Sequence, residues 1–377
     1  MRSIIFVVKP FHLARIALTV TNDLSYDQRM QRICTSLVAA GYDVLLIGRV
    51  LKKSIPLQLQ PFTQKRLYCF FTNGFLFYTE YNIRLFIFLL FAKIDAFSAI
   101  DLDTILPCYL ASSIKNKPRV YDAHELFTEL KEVVSRKNVH SFWLLIERFA
   151  VPKYINGYTV NYFIQQEFKR RYGVNYQIVR NLPFKKELQQ QQKFTEPTII
   201  YQGAVNEGRS FETLIPAMKN VNAKLLICGN GNFFNETKAL IKQYNLEHKI
   251  ELKGYLLPND LQTITQRCHI GITIFEEEGL NQYYSLANRF FDYMMAGIPQ
   301  ICVDYPEYKL INNQYQFAYL INNVSEQTIA NALNKLLADT VLYKQLQINC
   351  NNSRNILNWQ EEEKVLINFW KNIIQIN

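Results

Sequence analysis

Residues 285–299 read Ser-Leu-Ala-Asn-Arg-Phe-Phe-Asp-Tyr-Met-Met-Ala-Gly-Ile-Pro. This stretch joins a strand expected to end near Phe275 to an apolar helix stopped at Gly297. Small residues stand at the entrance, an Asn-Arg pair follows, and Asp292 lies one turn further on. A helix N-terminus offers unpaired backbone N–H groups and the positive end of the helix dipole, which suits a diphosphate. Asp292 follows Asn288 by four residues and so shares its helix face. A carboxylate there can accept both hydroxyls of a ribose. The bland reading is an ordinary polar helix start with Asp292 serving the dipole; a strand just ahead of the segment favours the binding reading.

Working outward, strand and helix patterns alternate along the whole chain, the mark of parallel α/β domains. Strands are expected at Ile16–Thr21, Val44–Gly48, Ala96–Asp101, Val120–Tyr121, Tyr158–Asn161 and Gln177–Val179, with helices at Tyr26–Ala40 and around 81–93, 104–115, 140–151 and 163–172. Residues 183–197 enclose Lys-Lys and a run of four glutamines without apolar periodicity, and read as a linker. The pattern restarts with strands at Thr198–Gln202, Lys224–Cys228, Ile250–Leu252, Ile270–Ile274 and Gln300–Val303. A last helix, about 358–374, sets Trp359, Leu366, Phe369, Trp370 and Ile373 near one face. The expected architecture is two Rossmann-like domains, residues 1–182 and 198–357, facing each other across a cleft into which strand C-terminal ends point.

Composition narrows the function classes. With 49% apolar and 20% charged residues the chain is globular. Residues 1–182 hold 24 Lys+Arg against 13 Asp+Glu and the remainder 18 against 19, so the first half carries the basic excess. That suits an anionic surface, lipid or nucleic acid, but no aromatic-basic recognition motif accompanies it, which disfavours nucleic acid. Seven scattered cysteines without C-x-x-C read as free thiols in a reducing compartment, which points to the cytoplasm. Five histidines make no zinc pattern, so no metal is expected. Ile4–Val8 is too short for a signal peptide, and the longest apolar run, Leu85–Ala92, falls short of the roughly 20 residues of a spanning helix. Tyr81–Lys93 reads as a core helix, although Lys52, Lys53, Lys65 and Arg66 nearby keep a peripheral membrane role open.

Several segments would share the cleft. Tyr201-Gln-Gly-Ala-Val-Asn-Glu-Gly-Arg leaves a strand through Gly203 and reaches Arg209, whose guanidinium can hold a leaving diphosphate. Cys228-Gly-Asn-Gly-Asn offers Gly229 for close backbone approach, although a lone Gly-x-Gly is more often a simple turn. Tyr121-Asp-Ala-His-Glu-Leu-Phe-Thr-Glu places His124 after a short strand, with Glu125 and Glu129 able to orient it. Asp101-Leu-Asp-Thr also ends a strand. Thr21-Asn-Asp-Leu-Ser lacks the Gly-x-Gly-x-x-Gly of a dinucleotide site, which disfavours an NAD enzyme.

Five segments in this order, residues 21–49, 101–104, 121–129, 201–215 and 285–299, together resemble two-domain GT-B glycosyltransferases of the family 4 type over roughly residues 14–375. The resemblance implies retaining sugar transfer from a nucleotide-sugar donor without a bound metal, and a C-terminal helix that returns to the first domain. The donor would sit on the second domain, and a glycan or lipid-linked acceptor on the first. It implies that Ser285, Leu286 and Ala287 lend backbone N–H groups to the phosphates, beside Asn288 and Arg289. Asp292 would replace the usual ribose-binding Glu, Arg209 would contact the phosphates, and His124 would lie near the reacting sugar. Tyr284 stands where the family carries an acid and Ala204 where a basic residue is common; Glu276, Glu277 and Glu278 are candidates for the missing carboxylate. Competing readings are a nucleotide-sugar epimerase on the same fold and a degenerate, non-catalytic binding subunit.

Overall fold

The computed structural model describes residues 13–25, 27–187 and 191–374; the Ile4–Val8 segment and Tyr26 fall outside them. The chain forms two parallel sheets. The first contains β1 (Arg15–Thr19), β2 (Asp43–Arg49), β3 (Thr63–Leu67), β4 (Ala96–Ile100), β5 (Arg119–Ala123), β6 (Asn156–Thr159) and β7 (Gln177–Ile178), in the order β3-β2-β1-β4-β5-β6-β7. The second contains β8 (Thr198–Gln202), β9 (Lys224–Cys228), β10 (Ile250–Gly254), β11 (Ile270–Thr273), β12 (Gln300–Val303) and β13 (Ala318–Ile321), in the order β10-β9-β8-β11-β12-β13. The chain reverses its winding between β1 and β4 and again between β8 and β11. A doubly wound sheet opens a crevice at such a switch point. The fold is thus the expected pair of Rossmann-like domains.

Central strands such as β4 and β8 are buried along their whole length, as parallel strands covered on both faces must be. β3 and β13, the edge strands, escaped the sequence reading. Thr63-Gln-Lys-Arg-Leu is a half-exposed edge strand without an apolar run, and Ala318–Ile321 is an edge strand of mixed burial whose apolar run is only four residues long.

The helix Gly74–Phe91 departs further from expectation. It is 18 residues long with a mean hydropathy of 1.3, long and apolar enough by composition to cross a membrane. The reading from sequence stopped at an eight-residue run because Tyr78, Thr79, Glu80, Asn82 and Arg84 interrupt it, yet the helix continues through them. It is not a core helix all round either. Only the i,i+4 stripe Phe77, Tyr81, Leu85, Leu89 is buried, and that stripe packs into the first domain's core.

The last helix, Trp359–Ile373, leaves the second domain and joins the core of the first. Trp359, Leu366, Phe369 and Trp370 pack with Ile33, Leu37 and Tyr158. Trp359 Nε1 donates to Ser36 Oγ at 3.0 Å, Ser36 donates to Glu363 at 2.6 Å, and the Arg180 N–H donates to Glu362 at 2.7 Å. The Trp359 N–H also reaches the Pro183 carbonyl at 2.9 Å, so the helix start clamps the connection between domains. Because the Trp359 ring is fully buried, Trp359→Ala should cost about 3–5 kcal/mol of stability. Urea unfolding measures this, and Trp359→Phe should recover most of the loss.

Candidate active site

The C-terminal ends of the two sheets face each other across a cleft of about 500 Å³, lined from the first domain by Arg29, Arg32, His124 and Glu125 and from the second by Arg209, Ser285, Leu286 and Asn288. A second cavity of about 610 Å³ adjoins it. There Asp292 and Gln202 meet an apolar wall that includes Leu256 and Leu261.

The second domain builds a site for negative charge. Arg209 and Arg289 both lie over the Phe275 ring, 4.9 and 4.6 Å from its centroid. Arg289 is buried and turned inward. It donates to Tyr201 Oη at 3.1 Å and to the Gln202 carbonyl at 3.2 Å, at the end of β8. Its guanidinium is therefore a fixed charge behind the cleft rather than a direct contact. Arg209 is half-buried and lines the cleft, and among the described residues no acceptor lies within hydrogen-bonding reach of its guanidinium. Burial, then the charge of Arg289, holds its pKa below the usual arginine range. Arg209, without such partners among the described residues and beside the Arg289 charge at one ring, attracts an anion.

The helix Asn288–Met295 adds its N-terminus to this cradle. Of the three residues read as lending backbone N–H groups, two are already engaged. Ser285 donates to the Gln282 carbonyl at 3.2 Å and Ala287 to Tyr308 Oη at 2.8 Å. The N–H groups of Leu286, Asn288 and Arg289 meet no acceptor among the described residues. Gly203 and Gly229 approach each other closely. A Cβ on Gly229, at φ +154°, would lie 1.8 Å from the Gly203 carbonyl oxygen, so the two turns close-pack on each other.

Asp292 accepts from Gln202 Nε2 at 2.9 Å, and Thr265 Oγ1 donates to Gln202 Oε1 at 2.8 Å. Burial lifts the Asp292 carboxyl to about 6, against the pull of Arg32 across the cleft. Arg32 also donates to Asn181 Oδ1, and Asn181 Nδ2 to Asn288 Oδ1 at 2.8 Å. Gln202, Arg32 and Asn181 were missed from sequence. Gln202 carried a signal, a polar residue closing the apolar strand Thr-Ile-Ile-Tyr-Gln; Arg32 and Asn181 carried none.

In the first domain, Asp101 and Asp122 surround His124. Its Nδ1 lies 3.4 Å from Asp101 Oδ2 and its Nε2 lies 3.0 Å from Asp122 Oδ2, while its backbone N–H donates to Asp101 Oδ1 at 2.9 Å. Asp101 takes φ +55°, an uncommon conformation for a non-glycine residue that aims its carboxylate back at this loop. Arg29 binds Asp122 at 3.1 Å and also approaches His124 Nε2 at 2.9 Å, which favours a neutral ring. Charge balance decides the other way, because two carboxylates face one guanidinium. Burial alone would lower the His124 pKa, yet Asp122 and Asp101 together raise it from 6.5 to about 9. Glu125 beside it is raised to about 8 by burial and by Asp101. Glu129 plays no part here, since it pairs with Arg171 at 2.7 Å. In the 276–278 loop Glu278 pairs with Lys131 at 2.8 Å, and Tyr284 stacks on Phe163 at 5.4 Å.

Residues 184–353 match the family model of glycosyl transferases group 1. The chain carries a glycosyltransferase domain and is an enzyme of that class. Solved structures with the same two-domain fold include sucrose-phosphate synthase of Thermosynechococcus elongatus, 15% identical over 95% of this chain and 98% of that one, with a TM-score of 0.78. A glycosyltransferase of Rickettsia africae is 12% identical over 97% and 100%, with a TM-score of 0.74. HepE of Anabaena, solved in complex with UDP-glucose, is 11% identical over 95% and 99%, with a TM-score of 0.73. These likenesses establish the GT-B fold. No curated protein matches the sequence significantly.

The His124 cluster yields a pH test. Folding raises the His124 pKa, so its contribution is complete below pH 6.5 and is lost as pH rises through about 9. The stability gap between the wild type and His124→Gln should therefore be widest at pH 6 and should narrow up to pH 9. Denaturant melts across this range would show it, and a constant gap would place the charge elsewhere.

Proposed function

We propose that the enzyme transfers a sugar from a nucleoside diphosphate sugar to a glycan or lipid-linked glycan, with retention at the anomeric carbon, in surface polysaccharide synthesis. The observation that carries this reading is Arg209. It lies on Phe275 with no acceptor in reach among the described residues, beside buried Arg289 and the open N–H groups of residues 286, 288 and 289. As the anomeric C–O bond breaks, negative charge grows on the diphosphate, and fixed positive groups in a water-poor cleft stabilise it. Asp292, held by Gln202 in the adjoining cavity, is placed to accept ribose hydroxyls while the Leu256–Leu261 wall covers the base. That HepE was solved with UDP-glucose supports a nucleotide-sugar donor. His124 and Glu125 face the donor site from the first domain, where the acceptor would bind. The free cysteines Cys34, Cys69, Cys108, Cys228, Cys268, Cys302 and Cys350, all buried, fit a cytoplasmic enzyme.

Asp292→Asn should weaken nucleotide binding by about 1.5–3 kcal/mol through loss of a charge-assisted hydrogen bond. Titration calorimetry with UDP, GDP, ADP and TDP would measure this and identify the nucleotide; unchanged affinity for the preferred one would remove Asp292 from the site. His124→Ala should cut sugar transfer far more than nucleotide affinity, because the two groups lie on opposite domains. Equal transfer rates in mutant and wild type would make the His purely structural.

Turnover should also survive EDTA, since guanidiniums and a helix terminus stand where a divalent ion would neutralise the diphosphate. Activity lost to EDTA and restored by magnesium or manganese would contradict this assignment. Donor epimerised without any acceptor would favour the epimerase instead.

A further inference from the structure

We infer that the first domain docks on anionic membrane through an apolar face formed by the helices Gly74–Phe91, Ile105–Lys115 and Lys137–Ala150. On the first of these, Leu76, Ile83, Ile87 and Phe91 recur at spacings of seven and four, which puts them on one side of the helix. They are not covered: Phe91 is 81% exposed, as are Ile114 at 64% on the second helix and Leu145 at 69% on the third. Ring contacts make the face continuous. Phe75 meets Phe142 at 5.6 Å, linking the first and third helices, and Tyr109 meets Phe149 at 5.7 Å, linking the second and third. An exposed apolar surface spanning three helices marks an interaction site.

Its charge selects the occupant. Lys93 and Arg148 are exposed beside the face; Lys115 donates to the Leu89 and Ala92 carbonyls, Lys117 pairs with Asp95 at 3.0 Å, and Lys153 Nζ lies 4.0 Å from the Phe149 ring centroid. The three helices hold only two acids, and both are engaged. Glu80 caps the Phe70 and Phe71 N–H groups and pairs with Arg84; Glu147 is buried and accepts from Thr128 and Tyr172. A second copy of the chain would set this basic rim against itself, since a twofold interface pairs a patch with its own kind. Lipid phosphates complement the rim, and acyl chains complement the aromatic and aliphatic side chains. The helix Gly74–Phe91 lies in the membrane plane rather than across it, because its Phe77–Leu89 stripe is fixed in the domain core. The face differs from the one expected around Lys52, Lys53, Lys65 and Arg66. Arg66 is consumed by bonds to the Asp23 and Ile55 carbonyls and Ser25 Oγ.

Neither the face nor its test involves the cleft, so the inference stands independently of sugar transfer. The full chain should sediment with vesicles of phosphatidylglycerol and phosphatidylcholine, far less with phosphatidylcholine alone, and should stay partly bound in 0.5 M salt. Ile87→Asp/Leu145→Asp should lower the partition coefficient at least about tenfold, with unchanged melting temperature and nucleotide affinity. Lys52→Glu/Lys53→Glu should leave it within about twofold. The substitution Leu145→Trp adds no charge, and the extra indole fluorescence it brings should be quenched by brominated lipid. The inference is overturned if the wild type ignores anionic vesicles, if the double Asp variant binds like the wild type, or if that extra fluorescence survives in the vesicle-bound protein. It is also overturned if lipid-free ultracentrifugation shows a dimer that the double Asp variant abolishes, because the face then belongs to a second copy.

Discussion

Two guanidinium groups share one phenylalanine ring, and the second domain is arranged around that fact. Burying a cation without a carboxylate is costly unless dipoles replace the lost water. Arg289 meets this cost through carbonyl and hydroxyl oxygens at the end of β8 and through the faces of Tyr201 and Phe275. Arg209 receives no such replacement, so its charge is left for a ligand. The close-packed Gly203 and Gly229 turns hold the backbone that anchors Arg289; the space beyond Gly203 that a side chain would enter is taken by the Arg289 guanidinium, 3.0 Å away.

The first domain answers with the opposite electrostatic design. Asp101, Asp122, Arg29 and protonated His124 sum to no net charge, and their mutual contacts fix the ring at the cleft wall. Such a cluster can shift a proton or adjust a hydrogen bond without competing for the diphosphate. Cations for a leaving group on one wall and a neutral, polar, orientable group on the other is the division that a two-substrate transfer needs.

The two walls are joined at the back by the C-terminal helix, whose tryptophans belong to the first domain's core. The direct bridges are weaker. Lys131 reaches Glu207 and Glu278 at 3.0 and 2.8 Å, but all three side chains are substantially exposed, and such pairs contribute little. Asn281 accepts from the Leu126 N–H, and Asn161 donates to the Tyr284 carbonyl at 2.6 Å. Apolar packing adds to these polar contacts, since Leu280 and Tyr284 of the second domain lie against the first domain's core.

How much of this was legible in the sequence follows from where each signal resides. Periodicity and glycine-ended helices gave the two domains, because buried parallel strands and amphipathic helices leave local patterns. Arg209, His124, Asn288 and Asp292 were legible because each follows a strand end, and strand ends in this fold converge. The direction of Arg289 was not, since nothing local tells whether a guanidinium turns outward or stacks inward on Tyr201. Asp122 was hidden as a partner of His124 by its place inside β5, where alternation sends one of two neighbours into the core. The apolar face was hidden for a related reason: periodicity reports which residues are apolar, while only packing decides which apolar stripe the core takes. On Gly74–Phe91 the core takes Phe77, Tyr81, Leu85 and Leu89, and a second apolar stripe is left to water. An excess of apolar surface with no local use, rimmed by the basic half of the chain, is how a sequence encodes a surface it needs for something other than folding.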